Sequence, residues 1–200
     1  MKQKFVEEVS QEELYGSRNP LVRFAHLKRL ENIIKMLGNT EGMAVLDIGC
    51  GEGFMLERLK GKTIGLDYSM EKLKRAKERV QGALLVRGDA TMLPFRENCF
   101  DAFIASEVLE HIPNLEGVAS EVRRTARKKA VAVVSAPNEK NWRIARLFLL
   151  RFPIKLEGHV NSLTPKKLEG LFGKKVLLRE NIPNLPFFLC LTQMAKYRVK

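Results

Sequence analysis

Nine residues from Val45 to Gly53 constrain the fold of this chain more than any other segment. An apolar run typical of a buried strand ends in three glycines at alternate positions, Gly49, Gly51 and Gly53, and a short helical pattern runs from Phe54 to Lys60. Glycine permits backbone angles that a Cβ forbids, and it lets a ligand approach the main chain closely. A helix start beyond such a turn offers unpaired N–H groups that favour an anionic ligand. The segment therefore predicts a nucleotide-type binding turn.

Short apolar strands alternate with helical patterns between residues 43 and 135. This alternation predicts a mostly parallel sheet with helices on both of its faces. Ser69 and Asn114 are good N-cap residues, and the helices that they open are expected to end near Gln81 and Lys128.

Both flanks of the alternating region are predicted to pack onto it as parts of one domain. In the N-terminal flank the main helix begins at Asn19–Pro20 and stops at Gly38. In the C-terminal flank Thr164–Pro165 is a cap and first-turn pair for a last helix, Lys166 to Phe172, and two strands near 174–179 and 187–194 close the chain. The predicted parts are a helical cap (residues 1–40), a binding core (41–140), a lid or insertion (141–164) and a closing helix with two strands (165–200).

The segment from Trp142 to Phe152 is strongly apolar but is interrupted by arginines. Such helices usually pack on their own protein, so the pattern favours a lid over a substrate pocket. The alternative is a basic amphipathic helix that contacts a membrane surface or a lipid-like substrate.

The charge balance is strongly basic, with 35 Lys and Arg against 23 Asp and Glu, a formal net charge of +12 and a pI near 9.8. This favours a negatively charged partner such as nucleic acid, anionic lipid or a phosphorylated or carboxylated substrate. The run from Arg123 to Lys129 lies where a helix is expected to end before a strand from Ala130 to Ser135. There it complements the helix dipole or forms solvated surface.

Three cysteines, Cys50, Cys99 and Cys190, are odd in number and lack metal-type spacing. They fit a reducing cytosol without a disulfide framework. No apolar run reaches the length of a membrane span, and residues 1–11 lack the apolar centre of a signal peptide. We therefore expect a cytoplasmic protein with no transmembrane segment and no metal site.

The spacing of the glycines distinguishes between nucleotide ligands. In the dinucleotide fingerprint the third glycine falls three residues after the second. Here Phe54 takes that place, and the glycine comes one residue earlier, at Gly53. The G-x-G-x-G form with Asp47 before it resembles the first motif of class I S-adenosylmethionine-dependent methyltransferases. Three further segments agree with this resemblance, which covers residues 41–140 well and the flanks loosely.

Two of these segments imply contacts to the nucleoside of the cofactor. Asp67 ends an apolar strand, and in this family the acid at that position holds the ribose, while Tyr68 would lie against the adenine. Asp67 as a helix cap is the alternative, but Ser69 is the better placed N-cap. Asp89 and Ala90 match the Asp-Ala pair that reads adenine in the family, although an Asx turn alone would explain them.

The last segment, Phe100 to Asn114, combines a buried strand with a loop that carries Glu107, Glu110 and His111. It is similar to the Glu-His-Ile signature of the small-molecule branch of the family. His111 is the leading candidate for a general base because an unperturbed imidazole titrates near physiological pH. Glu107 is the next candidate, followed by Glu110 and His159; a purely structural role for His111 is the alternative.

The resemblance implies a Rossmann-like, doubly wound α/β fold. It would have a seven-stranded, mostly parallel sheet with one antiparallel edge hairpin strand, plus the N-terminal helical cap. It also implies S-adenosyl-L-methionine as the cofactor. The residues predicted to bind it are Asp47, Gly49, Cys50, Gly51, Gly53, Asp67, Tyr68, Asp89, Ala90, Thr91 and Ser106.

The predicted function is methyl transfer from S-adenosylmethionine to a small molecule, either anionic or lipid-like. Adenine N-methylation is disfavoured because Ser106–Leu109 replaces the Asn/Asp-Pro-Pro-aromatic loop of those enzymes. Pyrimidine carbon-5 methylation is disfavoured because Cys99 precedes its strand and so lies at the wrong end of the sheet. The net charge leaves an RNA or protein acceptor open, and a non-catalytic, cofactor-binding regulatory protein is a further alternative.

Overall fold

The computed structural model describes residues 11–148, 159–173, 175–184 and 190–199. Within these residues seven strands form one sheet. The strands are β1 (Ala44–Ile48), β2 (Lys62–Asp67), β3 (Leu84–Arg87), β4 (Phe100–Ser106), β5 (Ala126–Pro137), β6 (Val176–Ile182) and β7 (Thr192–Arg198), and their order in the sheet is β3-β2-β1-β4-β5-β7-β6. The first five are parallel, and β7 pairs antiparallel with both β5 and β6. The predicted Rossmann-like, mostly parallel sheet with an antiparallel edge is confirmed.

Helices cover both faces of this sheet. They are α1 (Gln11–Tyr15), α2 (Pro20–Leu37), α3 (Met70–Arg79), α4 (Leu115–Thr125), α5 (Glu139–Phe148) and α6 (Pro165–Phe172), with 3-10 turns at Leu56–Arg58 and Leu109–His111. Successive strand residues point to opposite faces. Leu46 and Phe103 therefore pack with buried residues of α4 and α6, while Val45 and Ile104 pack with buried residues of α2.

The predicted N-caps are present at three helices. The Ser69 side chain accepts from the Lys72 N–H, the Asn114 side chain from the Gly117 N–H, and the Thr164 side chain from the Lys167 N–H. Each bond satisfies one of the donors that the first turn of a helix leaves without an intrahelical partner. The helices thus begin where the sequence predicted, although α3 and α4 end a few residues earlier.

The helix expected from Phe54 to Lys60 is wrong in extent. Only the 3-10 turn Leu56–Arg58 forms, because Leu59 is extended and Gly61 has a φ of 87° where the chain enters β2. A single 3-10 turn does not supply the N-terminal helix dipole expected from the sequence. Any ligand at the glycine turn is therefore met by the backbone of the turn itself.

The basic run from Arg123 to Lys129 is divided between α4 and β5, because β5 begins at Ala126 and not at Ala130. The register of β5 against β4 shifts between Phe100 and Ala102, and Lys129 has a φ of 68° beside this irregularity. Three of the arginines bond within the chain: Arg123 to the Leu171 carbonyl (2.7 Å), Arg124 to the Leu93 and Phe95 carbonyls (3.0 and 2.9 Å), and Arg127 to Asp101 (2.7 Å). Much of this charge therefore stabilises the fold.

The closing strands form the expected hairpin, with the second strand displaced along the chain. It runs over Thr192–Arg198 and not over residues 187–194, of which residues 187–189 lie outside the described residues.

The apolar segment from Trp142 is helical to Phe148, and residues 149–152 also lie outside the described part, so its role as a lid or a membrane contact stays a prediction. Among the described residues, no helix has the length and apolar character that crossing a membrane requires.

Candidate functional site

A cavity of about 370 Å³ opens at the carboxyl ends of β1, β2 and β4. Strand order reverses between β1 and β4, and ligands of open α/β sheets bind in the crevice at such a switch point. The cavity is within the size range of small-molecule sites. Of the predicted cofactor residues, those that line it are Asp47, Gly49, Cys50, Gly51, Asp67, Tyr68, Asp89, Ala90, Thr91 and Ser106, and it is also lined by Glu107 and His111.

The glycine turn packs directly against the loop after β4. The N–H groups of Gly49 and Cys50 both donate to the Leu66 carbonyl (2.7 and 3.1 Å), which joins the ends of β1 and β2. Gly49 has a φ of 73°, and a Cβ there would lie 2.4 Å from Cγ2 of Val108. Any side chain at this position would therefore strain the backbone and displace the loop that carries the candidate catalytic residues.

Gly53 is the predicted cofactor residue that the structure places outside the cavity lining. A Cβ at this position would lie 2.7 Å from Cγ2 of Val80 and 3.2 Å from Cβ of Ala76. Gly53 thus lies against the C-terminal part of α3 and its cap residue Val80. The third glycine therefore permits close helix packing beside the turn. Its position in the sequence was equally compatible with contact to a ligand.

Asp67 holds the glycine turn and the start of α3 at the same time. Its Oδ2 accepts from the Gly51 N–H (2.9 Å) and its Oδ1 from the Ser69 N–H (2.8 Å). A carboxylate has about four acceptor positions, so roughly two remain for a ligand. Tyr68 is 50% exposed at the rim of the cavity, and its carbonyl accepts from Arg87 Nε (3.2 Å).

Asp47 is 2% exposed, at the floor of the cavity. Burial, together with the negative charge of Asp67, raises the pKa of Asp47 to about 7. Burial is also the main cause that raises the pKa of the Cys50 thiol. A thiol with a raised pKa is a poor nucleophile, so Cys50 contributes volume and backbone to the turn.

Asp89, Ala90 and Thr91 form a tight turn at the edge of the cavity. Asp89 Oδ1 accepts from both the N–H and the hydroxyl of Thr91 (2.8 Å each). The Asx turn considered from the sequence is therefore present, and it places the buried Ala90 backbone against the cavity.

Helix α1 lies across the glycine turn, a contact that sequence reasoning missed. Gln11 Oε1 accepts from the Glu52 N–H (3.0 Å), and Glu52 Oε2 accepts from the Glu12 N–H (3.0 Å). The ring of Tyr15 stacks on Phe54 with 4.5 Å between centroids. Glu52 is itself buried. A buried carboxylate needs polar partners. The position of Glu52 inside the glycine turn was therefore the one signal in the sequence that another segment covers this turn.

Glu107 is fixed at the end of β4 by three contacts to two residues, Ser135 and Arg29. Its N–H donates to the Ser135 carbonyl (3.2 Å), its Oε1 accepts from the Ser135 hydroxyl (3.0 Å), and its Oε2 lies 3.8 Å from the Arg29 guanidinium. The Ser106 and Ser135 hydroxyl oxygens are 3.1 Å apart. Glu107 has a φ of 52°, which turns its side chain out of the line of the strand. These contacts position Glu107 on the cavity wall.

His111 lines the cavity, and His159 lies beside it from a distant part of the chain. Their ring centroids are 4.7 Å apart in an edge-to-face arrangement. His159 Nδ1 pairs with a Glu139 carboxylate oxygen at the start of α5. Glu110 is only 1% exposed, and burial, with the charge of Glu107, raises the pKa of this carboxyl well above its ordinary value. The Glu110 and His159 proposed from sequence are thus neighbours of His111.

The chain is similar in sequence to known methyltransferases. A family model described as "Methyltransferase domain" matches residues 46–134. Demethylmenaquinone methyltransferase of Oceanobacillus iheyensis is 29% identical over 194 residues, covering 86% of this chain and 82% of the relative. Its counterpart in Geobacillus stearothermophilus is 28% identical, covering 72% and 68%. Sterol 24-C-methyltransferase erg6 of Aspergillus fumigatus is 36% identical over 105 residues, covering 48% of this chain but 28% of the relative.

Solved structures share the fold at low sequence identity. A SAM-dependent methyltransferase of Thermotoga maritima has a TM-score of 0.72 at 19% identity, covering 90% of this chain and 91% of that one. A chain in the complex between the Haloferax volcanii Trm112 methyltransferase activator and a methyltransferase has a TM-score of 0.70 at 16% identity, covering 88% and 89%.

Proposed function

This chain is a class I S-adenosylmethionine-dependent methyltransferase, and from that premise we propose that it methylates a small, lipid-like acceptor in the cavity at the β1–β4 switch point. Proteins of this family and fold use S-adenosylmethionine generally. The questions specific to this chain are which residues hold the cofactor and what kind of acceptor the cavity admits.

The residues around the cavity support one proposed orientation of the cofactor. Asp67, with acceptor positions left beyond its two backbone partners, is suited to the ribose hydroxyls. Asp89 and Ala90, on the β3 side, are suited to the adenine. The methionine end would then lie toward β4, beside Asp47 and Ser106. Glu107 and His111, on the loop after β4, would then lie nearest to the activated methyl group.

The main task of this chain is alignment. When bound, S-adenosylmethionine supplies a methyl group that its sulfonium has already activated. Alignment of reacting groups supplies about 7–11 kcal/mol in ideal cases. Tyr15 and Phe54 cover the glycine turn as a stacked pair and limit the access of water. Glu107, held by Ser135 and Arg29, fixes the part of the cavity wall at the end of β4.

His111 is proposed as the group that accepts the proton of a hydroxyl or ammonium acceptor. It lines the cavity, and its backbone N–H bonds to the Val108 carbonyl (3.1 Å), which holds the turn. A positioned general base contributes about 10²–10⁴-fold to a rate. In His111→Asn we expect kcat to decrease by about this factor, while the affinity for S-adenosylhomocysteine stays unchanged. Equal kcat in the variant would leave His111 with a structural role.

The single observation that carries the lipid-like acceptor is the apolar part of the cavity wall. Beside the polar residues assigned to the cofactor, this wall presents Tyr15, Phe54, Val108, Ile112 and Pro113. Such surface favours an acceptor with apolar substituents. The relatives named for demethylmenaquinone and for sterols also act on apolar ring compounds, which supports the same class here.

The test is a transfer assay with radiolabelled methyl groups against cell extract separated into lipid, small-molecule, RNA and protein pools. We expect label in the lipid pool, and its loss in Asp67→Ala. Label confined to the RNA or protein pool would contradict the proposed acceptor. Binding of S-adenosylhomocysteine without label in any pool would instead identify a non-catalytic cofactor-binding protein.

A further inference from the structure

Two histidines and a buried glutamate converge at the end of the cavity. Glu110, His111 and His159 each offer one ligand atom, and these atoms all lie within 4.8 Å of one another. We propose that this Glu110–His111–His159 cluster binds a divalent transition-metal ion, with Zn²⁺ as its preferred occupant. Two imidazoles and one carboxylate form a donor set that suits Zn²⁺, and three protein ligands leave a fourth position open.

The state of Glu110 is the first independent indication of a cation. Its side chain is 1% exposed, and Oε2 is buried without a hydrogen-bond partner among the described residues. Leaving a buried carboxylate oxygen without a partner is costly, and a metal ion at the cluster would offset that cost. The negative charges of Glu107 and Glu139 also act on Glu110. Three carboxylates, those of Glu107, Glu110 and Glu139, thus interact here in a chain with a net charge of +12, with Arg29 as a nearby cation.

Glu139 is the second indication. It pairs with Nδ1 of His159 at the start of α5, so the nitrogen left for a metal is Nε2. Metal-binding histidines usually donate their other ring N–H to a carboxylate or carbonyl, which fixes the tautomer and the ring orientation. The His159–Glu139 pair has this arrangement. With Nδ1 directed at Glu139, Nε2 is the ring nitrogen that can bind a metal.

The backbone fixes the segment of His159 onto the turn of Glu110. The N–H groups of Val160 and Asn161 both donate to the Glu110 carbonyl (2.8 and 3.1 Å). The Asn161 side-chain amide also donates to the Ile112 carbonyl (2.7 Å). Three hydrogen bonds therefore hold two segments that are distant in sequence in a defined position, as a metal site requires.

The geometry needs only side-chain adjustment. Tetrahedral Zn²⁺ with ligands at about 2.0–2.2 Å holds its ligand atoms roughly 3.3 Å apart. Separations of up to 4.8 Å must therefore close by at most about 1.5 Å, a distance on the scale of rotations of the two rings and of the Glu110 side chain. A metal-bound nitrogen does not accept a proton, so His111 acts as a base only in the metal-free protein. The metal site itself does not depend on the identity of the methyl acceptor.

The experiment uses untagged full-length chain, stripped with a chelator and titrated with ZnCl₂ by calorimetry. Co²⁺ replaces Zn²⁺ in a parallel titration, because its visible absorption reports the coordination number directly. We expect one ion per chain and a tetrahedral Co²⁺ spectrum. Absence of saturable binding of either ion to the native chain would overturn the proposal.

Variants assign the ion to the cluster. Glu139→Gln is expected to weaken Zn²⁺ binding about 10- to 100-fold, as loss of a partner to a ligating histidine does, and His159→Ala or Glu110→Gln should weaken it further. The matched control is His26→Ala, because the chain has three histidines and His26 packs on Tyr15 instead of in the cluster. Glu110→Gln conserves side-chain shape, and circular dichroism checks folding. Binding that survives both ligand variants, or that is lost in His26→Ala, would refute the assignment.

Discussion

Replacing Asp67 by asparagine should weaken the binding of S-adenosylhomocysteine while leaving the chain folded. The proposed site gives this carboxylate two tasks: it accepts from the N–H groups of Gly51 and Ser69, at 2.9 and 2.8 Å, and it receives the ribose hydroxyls. Asparagine keeps one oxygen for a backbone partner. It lacks the negative charge, and it places an NH₂ group where a second acceptor was.

The magnitude follows from the number and type of bonds. A hydrogen bond to a charged group contributes about 1.5–3 kcal/mol, and about 1.4 kcal/mol corresponds to a tenfold change in affinity. Loss of one charge-assisted bond to the ribose is therefore expected to raise Kd roughly 10- to 150-fold. Titration calorimetry with S-adenosylhomocysteine measures this directly, and thermal unfolding reports the accompanying loss of the backbone bond.

Asp101→Asn is the matched control. The Asp101 carboxylate also pins backbone, through Ala44 N–H at 2.9 Å, and pairs with Arg127 at 2.7 Å. It lies at the start of β4, at the opposite end of the sheet from the cavity. We expect this variant to lose stability but not affinity. Unchanged affinity in Asp67→Asn, or the same weakening in both variants, would refute a direct contact between Asp67 and the cofactor.

The remaining predictions concern packing and proton linkage. Gly53→Ala should lower the melting temperature more than Gly82→Ala. Both positions have a φ near 85°, but a Cβ at Gly53 would lie 2.7 Å from Val80 at the end of α3, while nothing lies within 4 Å of one at Gly82. The additional loss is expected to be about 1–3 kcal/mol by urea unfolding, and equal losses would contradict a packing role. The pKa of Asp47 is about 7 in the folded chain and 3.8 ordinarily. Between these values the folded chain retains a proton that the unfolded chain releases. The free energy of unfolding should therefore fall as pH rises from about 4 to 7, by at most roughly 4 kcal/mol. Asp47→Asn should lose this part of the pH dependence, and an identical stability profile in the variant would disprove the linkage.

Local chemistry made the backbone around the glycine turn predictable. The glycine turn, the acid at the end of β2 and the N-caps Ser69 and Asn114 each rest on residues within a few positions of one another. Hydrophobic runs bounded by turns likewise indicated the strands, because parallel strands buried on both faces are apolar throughout. The predicted helix after the glycine turn was wrong in extent, because the path of the chain into β2 limits it to one 3-10 turn.

The contacts of His159 and of helix α1 were less predictable because the residues involved meet only in the folded chain. His159 reaches His111 through the backbone bonds of Val160 and Asn161 to Glu110. Helix α1 reaches the glycine turn through Glu52, and no pattern in residues 11–15 indicated that contact. The basic run was likewise ambiguous, because only the structure shows that three of its arginines bond to carbonyls and a carboxylate of the same chain.

From its sequence alone this protein is an alternating strand-and-helix chain with a glycine-rich turn and acids at strand ends, because those properties depend on backbone conformation and on neighbours a few residues away. The folded structure adds which distant side chains share one cavity, which glycine serves packing, and where carboxylates and imidazoles converge. Such contacts join segments across the whole chain. They are set by how helices and loops pack on the sheet, and residue spacing along the sequence contains no direct record of them.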